Sequence, residues 1–151
     1  MQKIVSIYCI WFALLQALPI YAGPSCDGIE AFIKGVDQEI DPNKATELAS
    51  NIIPNAESCV KAQVLGQGVT VNCRWGFDYR SAGLEESFEH LSDTIANCFK
   101  ITAQKSDHPV SHPDYYKLRQ YEASGRMISV SIKDKGALEH SFIFVSVSQM
   151  N

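Results

Sequence analysis

Residues 69–80 read Val-Thr-Val-Asn-Cys-Arg-Trp-Gly-Phe-Asp-Tyr-Arg. Val69, Val71, Cys73, Trp75, Phe77 and Tyr79 hold the odd positions, and polar or small residues hold every even one. Successive side chains of a strand point to opposite faces, so this alternation predicts a long half-buried strand of the kind antiparallel sheets use. Its valine and aromatic side faces a core, and Arg74, Asp78 and Arg80 lie on its polar side.

Working upstream, Gly66-Gln67-Gly68 is a reversal, and residues 59–65 alternate as a strand paired to it. Residues 26–40 space Ile29, Phe32, Ile33, Val36 and Ile40 as one helical face, with Ser25 as its cap. Asp41-Pro42 is a helix-start signal, and a second helix is expected from there to about Asn51, before Pro54.

Downstream, Leu84, Phe88, Leu91, Ile95 and Cys98 form the stripe of a third helix, with Glu85 and Glu86 at its positive end. Three further strands follow at 116–122, 127–133 and 140–148, separated by Ser124-Gly125 and Asp134-Lys135-Gly136. The unbroken apolar run from Phe142 to Val145 predicts a central strand covered on both sides. The order α-α-β-β-α-β-β-β predicts one α+β domain over residues 23–151. Its antiparallel sheet has about five strands, with helices packed on one face.

Residues 1–22 read as a secretory signal peptide: Lys3, an apolar run over 4–17, Pro19, and Ala22 before the expected cleavage. The run is shorter than the roughly 20 residues a bilayer needs, so no membrane anchor is expected after cleavage. Lys3 is the leader's only charged residue, so the rest has 12 basic residues against 17 acidic ones, a net charge of −5. An acidic chain is a poor fit to nucleic acid, which asks for a basic field.

Four cysteines remain after the leader: Cys26, Cys59, Cys73 and Cys98. An even number in an exported chain reads as two disulfides, and no C-x-x-C redox or zinc motif is present. A helix folding back about 21 Å over a strand brings its last turn near the strand's middle, which predicts Cys73–Cys98. Cys26–Cys59 follows by elimination.

Two groups of residues are candidates for chemistry. Asp107, His108, His112 and Asp114 lie on a stiff loop with two His-Pro units and are candidate ligands for zinc or copper. The same histidines, with Arg74, Arg80 or Lys117, also suit acid–base hydrolysis. A solvent-exposed connector is the plainer account of that loop. No G-x-S-x-G or phosphate-loop pattern occurs.

The second group is a surface. If strands 69–79 and 116–122 are neighbours, Arg74, Asp78 and Arg80 join Lys117, Arg119 and Tyr121 in one basic and aromatic binding patch. The resulting expectation is a periplasmic or secreted protein with no cofactor. It acts without catalysis by binding another exported protein, as an inhibitor, immunity-type or accessory factor. The alternatives are a metal-binding or hydrolytic protein built on the His108/His112 loop, and a carrier of a small apolar ligand. No Asn begins an N-x-Ser/Thr acceptor, which leans towards a bacterial source.

Overall fold

A computed structural model describes residues 25–37, 46–48, 55–64, 68–105 and 115–150. The expected leader, the His-Pro loop and most of the segment between Asp37 and Asn55 lie outside these residues.

The organising strand is β3 (Gly68–Asp78). It pairs on one side with β2 (Ser58–Val64) and on the other with the C-terminal strand, β7 (His140–Gln149). β7 continues to β6 (Arg126–Lys135) and then to β5 (Tyr115–Ala123). Every pairing is antiparallel, so the five long strands match the expected sheet. Two short strands extend it: β1 (Thr46–Leu48) beside β2, and β4 (Gln104–Lys105) beside β5. The order across the sheet is β1-β2-β3-β7-β6-β5-β4.

Two helices cover one face. α1 (Cys26–Lys34) is capped by Ser25, whose hydroxyl accepts from the Gly28 N–H, and runs into a single 3-10 turn at Gly35–Asp37. α2 (Ala82–Phe99) buries Leu84, Phe88, Leu91 and Ile95 along one side. These pack with Val71, Cys73 and Trp75 of β3, and with Ile128, Val130, Ile132, Ile143, Val145 and Val147, in one core. The alternation of residues 69–77 thus does what it predicts, with Tyr79 and Arg80 passing into the turn that starts α2. Arg80 takes a left-handed backbone there, φ 51°, and its N–H donates to the Ser141 hydroxyl.

The disulfides pair differently from the expectation. Cys59 bonds to Cys73, and Cys26 bonds to Cys98. The reason is register and helix placement together. Cys59 and Cys73 are direct cross-strand partners on β2 and β3, already at bonding range. α2 does not return along β3 but packs over β7, β6 and β5 as well, and its last turn meets the first turn of α1.

A second correction concerns the helix expected over 41–51. Of that stretch the structure describes 46–48, which are extended and pair with Lys61, Val60 and Cys59. Edge pairing with β2 satisfies their backbone groups more cheaply than a helix lacking a core to pack on. In β2 the faces are also set by the disulfide: Cys59 and Lys61 turn inward, while Val60 lies on the opposite face. Burial pushes the Lys61 ammonium below its ordinary pKa, against the pull of Asp37. Among the described residues no helix is long and apolar enough to cross a membrane.

Candidate functional site

β7 occupies the middle of the sheet, and its residues alternate between the two faces. Ser141, Ile143, Val145 and Val147 are buried under the helices. His140, Phe142, Phe144 and Ser146 emerge on the other face, over which no described helix packs. The apolar run is therefore central, as expected, and among the described residues helices cover it on one side only. Phe142 and Phe144 are left partly exposed at the centre of a sheet face on which no described helix packs.

The register places each neighbour of this aromatic line. Arg74 stands opposite Phe144, Gly76 opposite Phe142, and Asp78 opposite His140. On the far side, Ser131, Lys133 and Lys135 stand opposite the same three residues of β7. The Arg74 guanidinium lies over the Phe142 ring, 5.2 Å from its centroid. Phe142 contacts Phe144 at 6.1 Å between centroids and meets the His140 ring edge-on at 6.3 Å. The Glu57 carboxylate holds Arg74 at 3.3 Å, and the Glu57 N–H donates to the Arg74 carbonyl at 2.8 Å.

Gly76 makes this arrangement possible, because a Cβ at that position would overlap the Glu57 carboxylate. Beyond it an open cleft of about 430 Å³ lies between Glu57, Asp78, Ser81 and His140. Towards the other end of the face the polar groups bond to one another. Ser146 donates to Asn72, whose amide donates to Thr70, which donates to the Ala62 carbonyl.

The other expected half of the patch is elsewhere. Lys117, Arg119 and Tyr121 pair with Ile132, Val130 and Ile128, so they point to the helix side. β5 is moreover separated from β3 by β6 and β7. Lys117 bonds to Glu85 and Glu89 of α2 at 3.1 and 2.6 Å, and Arg119 bonds to Glu89 at 2.5 Å. Both cations also lie over the Phe88 ring. Hydrogen bonding from Lys117 holds the Glu89 carboxyl below its ordinary pKa, against burial, and Arg119 adds to it. Burial works against the Lys117 charge, but its bonds to Glu89 and Glu85 outweigh that and raise its pKa. Tyr121 is buried, and its hydroxyl donates to the Ser92 carbonyl.

Arg80 belongs to neither group. It bonds through Nε to Asp134 at 2.7 Å, and Asp134 also accepts from the buried Ser141 hydroxyl at 2.7 Å. This clamp fixes the turn between β3 and α2 to the ends of β6 and β7. Of the six patch residues, then, only Arg74 and Asp78 share the uncovered face.

Asp107, His108, His112 and Asp114 fall outside the described residues. His90 is exposed on α2 and His140 on the opposite sheet face. Among the described residues no group of three or more His, Cys, Asp or Glu is placed to hold a metal. Sequence reasoning singled out neither Glu57 nor Lys133 and read Phe142 and Phe144 only as part of an apolar run covered on both sides. Their common face follows only from the β3–β7–β6 register, which links residues far apart in the chain. The chain matches no known protein family, no curated protein and no solved structure.

Proposed function

We propose that this protein is exported to the periplasm or beyond and acts without catalysis. It binds another extracytoplasmic protein through the uncovered face of its sheet, as an inhibitor, immunity-type or accessory factor. The reading is carried by one observation: Arg74 stacked on Phe142 in the middle of a face that no described helix covers.

Arginine and aromatic side chains are the groups that concentrate binding energy at protein interfaces, in apolar centres rimmed by polar residues. Phe142 and Phe144 supply such a centre, and Glu57, Asp78, Lys133 and Lys135 supply such a rim. The two disulfides are consistent with an oxidising compartment outside the cytoplasm.

The test is affinity capture from periplasmic extract with three immobilised proteins: wild type, an Arg74→Glu/Phe142→Ser variant, and a Lys34→Glu control on the exposed side of α1. The expected result is one protein retained by wild type and control and lost by the face variant. Retention by all three alike, or by none, overturns the reading.

A further inference from the structure

The two disulfides sit in opposite surroundings. Cys59 and Cys73 are sealed in the core, whereas Cys26 is exposed and Cys98 partly exposed. Of the two bridges, a thiol in solution therefore reaches only Cys26–Cys98. This bridge joins the first residue of α1 to the last turn of α2, so it holds two helix ends together and no strand. Its sulfurs differ in access as well: Cys98 packs against the core, while Cys26 stands outside it.

Beside this bridge the helical layer is incompletely filled. An open cavity of about 290 Å³ lies between α1, the end of α2 and the turn that joins β5 to β6. Glu30, one turn on from Cys26, and Phe99, next to Cys98, are on its walls with Ile33, Ser124 and Arg126. At the far end of α1, past its 3-10 turn, the Asp37 carboxylate pairs with the Arg126 guanidinium on β6. α1 is thus clamped at both ends, by a bond that thiols break at its start and by an ion pair at its finish, with space beside it to relax into.

We propose that Cys26–Cys98 is a thiol–disulfide exchange site, opened by a protein dithiol, and that its opening lets the start of α1 lift from α2 while the sheet keeps its register. This goes beyond the binding role of the uncovered face and does not depend on it. A thiolate of the dithiol attacks the accessible Cys26 Sγ and forms a mixed disulfide. The Cys26–Cys98 bond breaks, and the Cys98 sulfur leaves with the electron pair and takes up a proton. The second thiolate of the dithiol then attacks its neighbour's sulfur in the mixed disulfide and releases Cys26, which is protonated in turn. Two electrons pass to the bridge, and the dithiol becomes a disulfide. A protein disulfide closes the bridge by the same steps in reverse. Cys59–Cys73 stays shut throughout and holds β2 on β3.

The probes are glutathione, a monothiol, and dithiothreitol, a dithiol that completes the reduction. Under native conditions, millimolar reduced glutathione is expected to give a mixed disulfide on Cys26, trapped by acid quenching and located by peptide mass spectrometry. Dithiothreitol is expected to open Cys26–Cys98 alone. In the opened protein, amide exchange over residues 26–34 should quicken by about tenfold or more, with the β3–β7–β6 ladder changing less than about twofold. Oxidised glutathione should restore the slow exchange. Cys26→Ser/Cys98→Ser, which holds the open state without reductant, should exchange as the reduced wild type does; should this variant fail to fold, the reduced wild type decides.

A bridge that stays closed until the whole protein unfolds overturns the inference, as does a mixed disulfide on Cys98 or the opening of both bridges together. Opening that leaves exchange over 26–34 unchanged, or that quickens it equally in the ladder, overturns it too.

Discussion

Cys59 and Cys73 face each other directly across β2 and β3, with Cα atoms 4.1 Å apart and their sulfurs bonded. The bridge locks the register of the hairpin from which the uncovered face is built, and it lies entirely within the core. The second bridge, Cys26–Cys98, does a different job, tying the start of α1 to the end of α2 across 72 residues of sequence.

The two bridges are expected to differ in reactivity and in worth. Cys26 is exposed, whereas Cys59 and Cys73 have no accessible surface. Mild reductant under native conditions should therefore open Cys26–Cys98 first, read as alkylation of those two thiols by mass spectrometry. In the chain-entropy model its loss costs about 4 kcal/mol, against about 3 kcal/mol for the shorter Cys59–Cys73 loop. Cys26→Ser/Cys98→Ser should show the larger loss through its loop, measured by urea unfolding.

The sheet and its helices were legible because their signals are local. The alternation of 69–77 and the 3–4 spacing from Leu84 to Ile95 each specify one element and its inward side. The helix expected over 41–51 failed although its start signal was local, because 46–48 pair with β2; the other failures needed a relation between elements. Reading the helix as a return along β3 put Cys98 over Cys73. Yet a reversal centred on Gly66 already makes positions 59 and 73 symmetric about it, and the observed Val64–Gly68 and Ser58–Arg74 pairs follow that symmetry. Treating β3 and β5 as neighbours misplaced Lys117, Arg119 and Tyr121, because the C-terminal strand inserts with β6 between them. Parity alone does not tell which face of a strand with mixed residues turns inward.

Tyr121 is expected to behave as a core residue. Tyr121→Phe removes its bond to the Ser92 carbonyl while keeping the ring, and should cost about 1 kcal/mol in chemical denaturation. It should leave partner capture unchanged. Loss of capture without loss of stability would return Tyr121 to the binding surface.

Glu89 should contribute to acid sensitivity. Its folded pKa lies below the ordinary value, so its contribution to stability is fully present above that value and is lost as pH falls through the lowered one. Glu89→Gln should thus lower the melting temperature at neutral pH, and the two proteins should converge as the pH falls through the lowered pKa. The carboxylate is partly exposed, so the neutral-pH difference should be about 1 kcal/mol or less. Parallel melting curves across that range would contradict the assignment.

Asp134 accepts from both Arg80 and Ser141 in a buried position, so Asp134→Ala breaks two bonds of the clamp on the β3–α2 turn. The expected loss is about 2 kcal/mol, measured by urea unfolding. Amide exchange should quicken first at residues 79–83, while the β6–β7 ladder stays protected.

The most direct measurement of the central claim is oxidative footprinting of the protein bound to its captured partner. Side-chain labelling of Phe142, Phe144 and His140 should fall several-fold relative to the free monomer, with Tyr79 and Leu138, both exposed beyond the ends of these strands, changing little. Unchanged labelling of Phe142 and Phe144, with protection appearing instead along α1 or α2, would contradict the claim that the uncovered sheet face is the working surface.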